Sequence, residues 1–160
     1  CIGVQLLCQS SEEGDTACIG IFDNRVRKFD TLFAEAGILL PDATGTAAPL
    51  SDADSCSARQ ADVPADATIL RPAGRLKIPH MGWNSVENLR SGLFTGIDQG
   101  AYVYYVHSFA PEVNADTIAT TTYGVPFSAA IRKDNFYGTQ FHPEKSASIG
   151  AQILQNFLTL

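Results

Sequence analysis

The chain has 160 residues, 45% of them apolar, and a formal charge of −6 with its three histidines taken as neutral. That supports one buried core, while no stretch approaches the roughly 20 continuous apolar residues that a membrane helix requires. The acidic balance argues against a nucleic-acid partner.

Position 1 is cysteine, with no basic and apolar leader after it, and the only methionine is Met81, so a fragment or a processed product is expected. Residues 2–9 form a good helical run led by Cys1 at its N-terminal edge. A thiolate there sits on the positive end of the helix dipole, which together with an imidazolium partner lowers a cysteine pKa. Residues 10–15 read as a polar turn, followed by short strands at 18–21 and 25–29 around Asp23-Asn24. Asp30 is placed to cap a short helix over 31–36 that Gly37 ends.

From 41 to 72 the composition turns to Ala, Asp, Ser and Pro with few large apolar residues, which predicts a disordered acidic surface insertion. Within 41–70, five aspartates against the single Arg59 leave a net charge of −4. Order is expected to resume at 75–79, with a turn at Met81-Gly82 and a helical scrap over 88–94. The apolar run 102–106 suits a buried strand that ends at His107. Further strands are predicted at 117–122, 129–132 and 137–141, with Asp134-Asn135 as the hairpin turn between the last two. Over 146–160, Ile149, Ile153, Leu154, Phe157 and Leu158 recur on one helical face, which predicts a helix packed on the sheet.

The chemistry sits at the two ends. Cys1-Ile2-Gly3-Val4-Gln5 opens the chain, and Gln140-Phe141-His142-Pro143-Glu144-Lys145 lies near its close. Pro143 fixes its own φ and pushes His142 toward an extended conformation, so His142 and Glu144 project to the same side. A thiol, a base and a base-orienting carboxylate outline a cysteine hydrolase. Taken singly, a cysteine is usually a small buried hydrophobe and a histidine at a strand end is usually just hydrogen-bonded there; taken together with their surroundings, the functional reading is favoured. Cys1, Cys8, Cys18 and Cys56 contain no CxxC pair and the three histidines lie far apart in sequence, so neither a zinc site nor a disulfide framework is expected. Reduced thiols in the cytoplasm fit that usage.

The opening segment resembles the nucleophile elbow of class I glutamine amidotransferases without its leading glycine, and His142-Pro143-Glu144 resembles their triad segment. The middle narrows the likeness. Residues 77–84 (Lys-Ile-Pro-His-Met-Gly-Trp-Asn), 93–97 (Leu-Phe-Thr-Gly-Ile), 106–109 (Val-His-Ser-Phe) and 140–146 are similar, in order, to the glutaminase subunits of imidazole glycerol phosphate synthases. The resemblance implies an α/β, flavodoxin-like, three-layer fold, incomplete here because the family's N-terminal strands would precede Cys1. It also implies hydrolysis of glutamine to glutamate and ammonia without a metal or cofactor, and delivery of the ammonia to a (β/α)8-barrel synthase subunit in histidine biosynthesis.

By the same resemblance Cys1, His142 and Glu144 form the triad, and the backbone N–H of Ile2 donates to the oxyanion. Gln5 lines the substrate pocket, the Ser108-Phe109 backbone helps bind the amino-acid end of glutamine, and Trp83, Tyr104 and Lys145 face the synthase subunit. Phe109 stands where the family commonly has tyrosine, a change expected to be mild. The 41–72 insertion exceeds the family's usual connection there. Without the preceding strands, poor hydrolysis by the isolated 160 residues and an exposed, aggregation-prone edge are expected.

Three other readings compete. Cys1 as a processed N-terminal nucleophile would use its own α-amine as base and leave His142 and Glu144 idle. A different class I glutaminase, serving pyridoxal phosphate or anthranilate synthesis, is disfavoured by the segment 79–84. A non-catalytic module would merely scaffold a synthase barrel.

Overall fold

The computed structural model describes residues 2–38, 40 and 76–160. Cys1 and the acidic insertion predicted at 41–72 lie outside the described residues. The first described element is helix α1, Ile2–Leu7, which buries Val4 and Gln5. Its free C-terminal carbonyls need partners, and the chain that follows supplies them: the backbone N–H groups of Ile19, Gly20 and Phe22 donate to the carbonyls of Leu6, Cys8 and Leu7. Those bonds replace the strand expected at 18–21. Pairing shifts instead to β1 (Ser10–Ser11) and β2 (Thr16–Ala17), which flank the predicted polar turn.

Strand β3 (Arg25–Lys28) runs parallel to β1. Helix α2 (Phe29–Glu35) follows it directly, starting earlier than predicted. Asp30 is not its cap. Lys28 occupies that position without a side-chain cap, and Asp30 lies in the first turn, 2.5 Å from the Lys28 ammonium, where its charge still favours the helix N-terminus. The C-terminus closes as predicted around Gly37: Ile38 N–H donates to the Phe33 carbonyl at 2.8 Å and Gly37 N–H to that of Ala34 at 3.2 Å, a Schellman pair.

Strand β4 (His80–Ser85) occupies the place of the turn expected at Met81-Gly82. It pairs antiparallel with β5 (Tyr102–His107) in a register that sets His80 opposite His107, Gly82 opposite Tyr105 and Trp83 opposite Tyr104. Glycine here marks an extended residue with φ +133 facing a large aromatic rather than a turn. The helical scrap contracts to a 3₁₀ turn at Gly92–Phe94.

After His107 comes a strand that sequence reasoning did not anticipate, β6 (Phe109–Pro111), antiparallel to β3. Strands β7 (Thr117–Tyr123), β8 (Val125–Lys133) and β9 (Phe136–Thr139) form an antiparallel sheet. Asp134-Asn135 is the hairpin turn, with Asp134 at φ +54. Gly124 makes the other turn at φ +69, where a Cβ would also meet Leu76 at 2.6 Å and Phe33 at 2.9 Å. Such short connections permit only antiparallel neighbours, and β1–β3 is the sole parallel pair among the described strands.

Helix α3 (Ala147–Phe157) closes the described chain. Its inner line is Gly150, Ile153 and Asn156, while Leu154, Phe157 and Leu158 of the predicted stripe are exposed. Two contacts fix that rotation. Gly150 lies so close to the Pro143 carbonyl that a Cβ would overlap it, and Asn156 Nδ2 donates to the carbonyls of Leu93 and Thr95 at 2.9 Å each. The main core gathers around Phe29, Val103, Tyr105, Phe127, Phe141 and Ile153. A smaller one of Val4, Cys8, Phe22, Val26 and Ile131 lies under α1. No helix among the described residues is long and apolar enough to cross a membrane.

Candidate active site

The sequence places a proline after His142, and the local backbone follows. His142 is extended at φ −99 and ψ 98, and Pro143–Lys145 then form one 3₁₀ turn. That geometry brings His142 Nδ1 to 2.7 Å from Glu144 Oε1. The carboxylate accepts, so Nδ1 carries a proton, and in the neutral ring it is Nε2 that offers the lone pair. Nε2 is buried and has no hydrogen-bond partner among the described residues. The bond from His142 holds the Glu144 carboxyl below the usual carboxylate range. It is therefore ionised at neutral pH and able to orient the ring, although the carboxylate is largely exposed to water.

Backbone contacts fix the histidine further. Its N–H donates to the Tyr104 carbonyl at 2.9 Å. Its own carbonyl accepts from Ser146 Oγ at 2.6 Å, and that oxygen in turn accepts from Tyr104 N–H at 3.0 Å. Ser146 is fully buried and clamps the turn to β5. The cluster expected from resemblance at Trp83, Tyr104 and Lys145 does assemble on this face: the Trp83 and Tyr104 rings meet edge to face at 6.0 Å, and Lys145 Nζ lies 5.9 Å over the Tyr104 ring. Trp83 is only 7% exposed, so most of its surface is already covered by its own chain.

His142, Pro143 and Glu144 line a cleft of about 670 Å³ whose opposite wall is Gly3, Val4 and Leu7 of α1, with Gly138 and Thr139 of β9 between. The apolar side chains of Ile2, Leu6 and Ile19 are exposed near it, Ile2 at 66%. Helix α1 can approach β9 this closely because residue 138 is glycine: a Cβ there would meet Val4 Cγ2 at 2.6 Å. Thus Cys1 leads directly into a helix that forms one wall of the cleft while His142 stands on another, although the thiol itself lies outside the described residues.

Gln5 is absent from the cleft lining. Its buried amide nitrogen donates to the Phe109 carbonyl at 3.0 Å and to Gln140 Oε1 at 3.1 Å, tying α1 to β6 and to the residue two before His142. Ser108 joins α2 to this region through its carbonyl, which accepts from Phe29 N–H at 3.0 Å. Sequence reasoning missed Gly138, Gln140 and Ser146 as supports of the site. Glycine inside a strand, a sign of close backbone approach, was the one local signal for Gly138.

Cys8 is unsuited to nucleophilic work. It is fully buried, its thiol donates to the Val4 carbonyl at 3.3 Å, and burial pushes its pKa up to about 12.

With this geometry in view, the similarities to known proteins are informative. The family model described as glutamine amidotransferase class-I matches residues 1–160. The chain is 40% identical over all 160 of its residues to "Imidazole glycerol phosphate synthase subunit HisH" of Bacteroides fragilis, covering 61% of that protein. The protein of the same name from Bacteroides thetaiotaomicron is 39% identical over the same span and the same 61%. That of Escherichia coli K12 is 57% identical over 86 residues, 53% of this chain and 44% of the relative. The chain thus spans about three-fifths of the length of the Bacteroides relatives it matches end to end.

Proposed function

The chain belongs to the class I glutamine amidotransferases, and from that membership we propose that it hydrolyses glutamine to glutamate and ammonia as the glutaminase of an imidazole glycerol phosphate synthase. The observation that carries the reading is the His142–Glu144 pair, 2.7 Å apart and with Nε2 unengaged among the described residues, on the wall of a cleft that α1 closes. His142 Nε2 takes the proton from the Cys1 thiol, and the thiolate attacks the side-chain carbonyl of glutamine. The Ile2 N–H donates to the tetrahedral oxyanion. On collapse His142 returns its proton to the departing ammonia, leaving a γ-glutamyl thioester. Water, deprotonated by the same ring, then cleaves the thioester to give glutamate and regenerate the thiol.

The Ser108-Phe109 backbone holds the amino-acid end of glutamine, with Gln5 acting behind it as a strut. The face of Trp83, Tyr104 and Lys145 meets a (β/α)8-barrel synthase subunit that consumes the ammonia in histidine biosynthesis. The exposed Lys145 and half-buried Tyr104 present that contact, with the buried Trp83 packed edge to face behind Tyr104. The reading puts the enzyme in the cytoplasm, where a catalytic thiol stays reduced.

An electrophilic glutamine analogue incubated with the full-length protein and its synthase partner tests this. Covalent labelling at Cys1 that disappears in His142→Ala is expected. Full glutaminase turnover in His142→Ala would instead remove His142 from the base role, and failure of the wild type to hydrolyse glutamine would dismiss the reading.

A further inference from the structure

On the opposite face of β4 and β5 from Trp83 and Tyr104, two buried histidines confront each other. His80 is fully buried and His107 is 5% exposed. His80 Nδ1 lies 2.8 Å from His107 Nε2, and His107 Nδ1 lies 2.8 Å from the Phe109 carbonyl. Asn84 Nδ2 approaches His80 Nε2 at 3.3 Å and donates to the Thr122 carbonyl at 3.1 Å.

The direction of this chain is fixed by its two ends. The Phe109 carbonyl only accepts, so His107 Nδ1 carries a proton. Burial pushes both rings toward the neutral form, so His107 Nε2 must accept, and His80 Nδ1 must donate to it. His80 Nε2 then accepts from Asn84, which has an amide N–H to give. Each group has one consistent role.

The rings cannot turn to escape it. His80 is stacked between Tyr123, with centroids 4.0 Å apart and planes at 17°, and Tyr105, at 4.8 Å and 21°. Tyr123 is itself pinned, its hydroxyl accepting from Lys77 N–H and donating to the Lys77 carbonyl at 2.8 Å each. Tyr105 is held through its hydroxyl, 2.7 Å from Thr121 Oγ1.

The relay ends on the Ser108-Phe109 backbone, which the proposed function assigns to glutamine and which lies outside the lining of the His142 cleft. The Phe109 carbonyl accepts a second bond from Gln5, whose amide also reaches Gln140, two residues before His142. One oxygen therefore joins β4 and β5 to α1, and the Gln5 amide carries the link on to Gln140, just beyond β9. Apolar side chains of the same size would fill this space without the cost of burying polar groups; a satisfied polar chain instead specifies a single orientation.

We infer that His80 and His107 are positioning residues for glutamine binding: their hydrogen-bond relay holds the Phe109 carbonyl, and through it Gln5, in the geometry the substrate needs. The inference rests on the proposed glutaminase reading and on the role of the Ser108-Phe109 backbone in it.

Steady-state kinetics of the full-length protein in complex with its synthase subunit test it with three variants. In His107→Leu the relay is cut, and KM for glutamine should rise about three- to tenfold, the worth of one lost hydrogen bond, while kcat per folded molecule moves less. His107→Asn returns an amide N–H close to the position of Nδ1 and should recover most of that KM. His80→Phe keeps a ring between Tyr105 and Tyr123 but removes the donor to His107, and it should raise KM in the same sense; it decides the matter if His107→Leu does not fold. An unchanged KM in folded variants, with kcat falling only in proportion to the folded fraction, overturns the inference while leaving the glutaminase reading intact. A wild-type complex that does not hydrolyse glutamine overturns both.

Discussion

Replacing Gly138 with alanine should damage the site without touching any of its reacting groups. The new Cβ would lie 2.6 Å from Val4 Cγ2, 3.1 Å from Val4 Cβ and 3.5 Å from Val4 Cα, where ordinary carbon contacts need about 3.5–4.0 Å. Rotating Val4 gives no relief, because its Cβ is already too near and a β-branched side chain in a helix has essentially one χ1. Helix α1 must therefore retreat by about 1 Å, the shortfall against that ordinary contact. Gln5 travels with it, and its bonds of 3.0 Å to Phe109 and 3.1 Å to Gln140 would stretch beyond useful length. Overpacking of this kind costs about 1–3 kcal/mol, and a misplacement of about 1 Å at a reacting centre costs about a hundredfold in rate. The assay is glutamine turnover of the full-length complex alongside the denaturation midpoint. Val4→Ala in the Gly138→Ala background removes the 2.6 Å contact but keeps the milder one of 3.1 Å, so it should restore part of both, a coupling that a double-mutant cycle measures. Wild-type turnover and midpoint in Gly138→Ala alone would refute the argument that this contact positions α1.

Two further outcomes follow from the buried groups. His80 and His107 both have folded pKa values below the ordinary 6.5 through burial; above that value neither the folded nor the unfolded state binds the proton, and their stabilising contribution is complete. As pH falls through 6.5 the unfolded chain takes up protons that the native state refuses, so stability is lost toward acid. Each ring contributes a loss of about 1.4 kcal/mol at pH 5.5, and the pair about 2.7 kcal/mol relative to pH 7.5. Urea denaturation of the full-length protein at the two pH values reads this directly; equal stability at both would contradict the neutral assignment, and His80→Phe should roughly halve the loss. In thiol mapping with iodoacetamide at pH 8, Cys8 should stay unmodified in native protein while the partly exposed Cys18 reacts, since burial keeps the Cys8 thiol protonated. Mass spectrometry of the tryptic peptides checks it, and rapid labelling of Cys8 would show that α1 opens readily.

What the sequence determined by itself is local. The helix after Cys1, the hairpin at Asp134-Asn135, the closure of α2 at Gly37 and the turn of His142 to face Glu144 each depend on one or two residues fixing a few dihedral angles, so a short window contains the cause. The same window misled where a tertiary neighbour outweighed a local preference: Gly82 reads as a turn but extends opposite Tyr105, Asp30 reads as a cap but follows one, and the apolar stripe of α3 is rotated partly outward because Gly150 rests on Pro143 and Asn156 reaches Leu93 and Thr95. Only the folded chain decided that His80 meets His107, that Gln5 spans to Phe109 and Gln140, and that Val4 rests on Gly138. These contacts join residues 27 to 135 positions apart or depend on missing atoms, and strand register and side-chain volume, which set them, are properties of elements packed together rather than of any segment read alone.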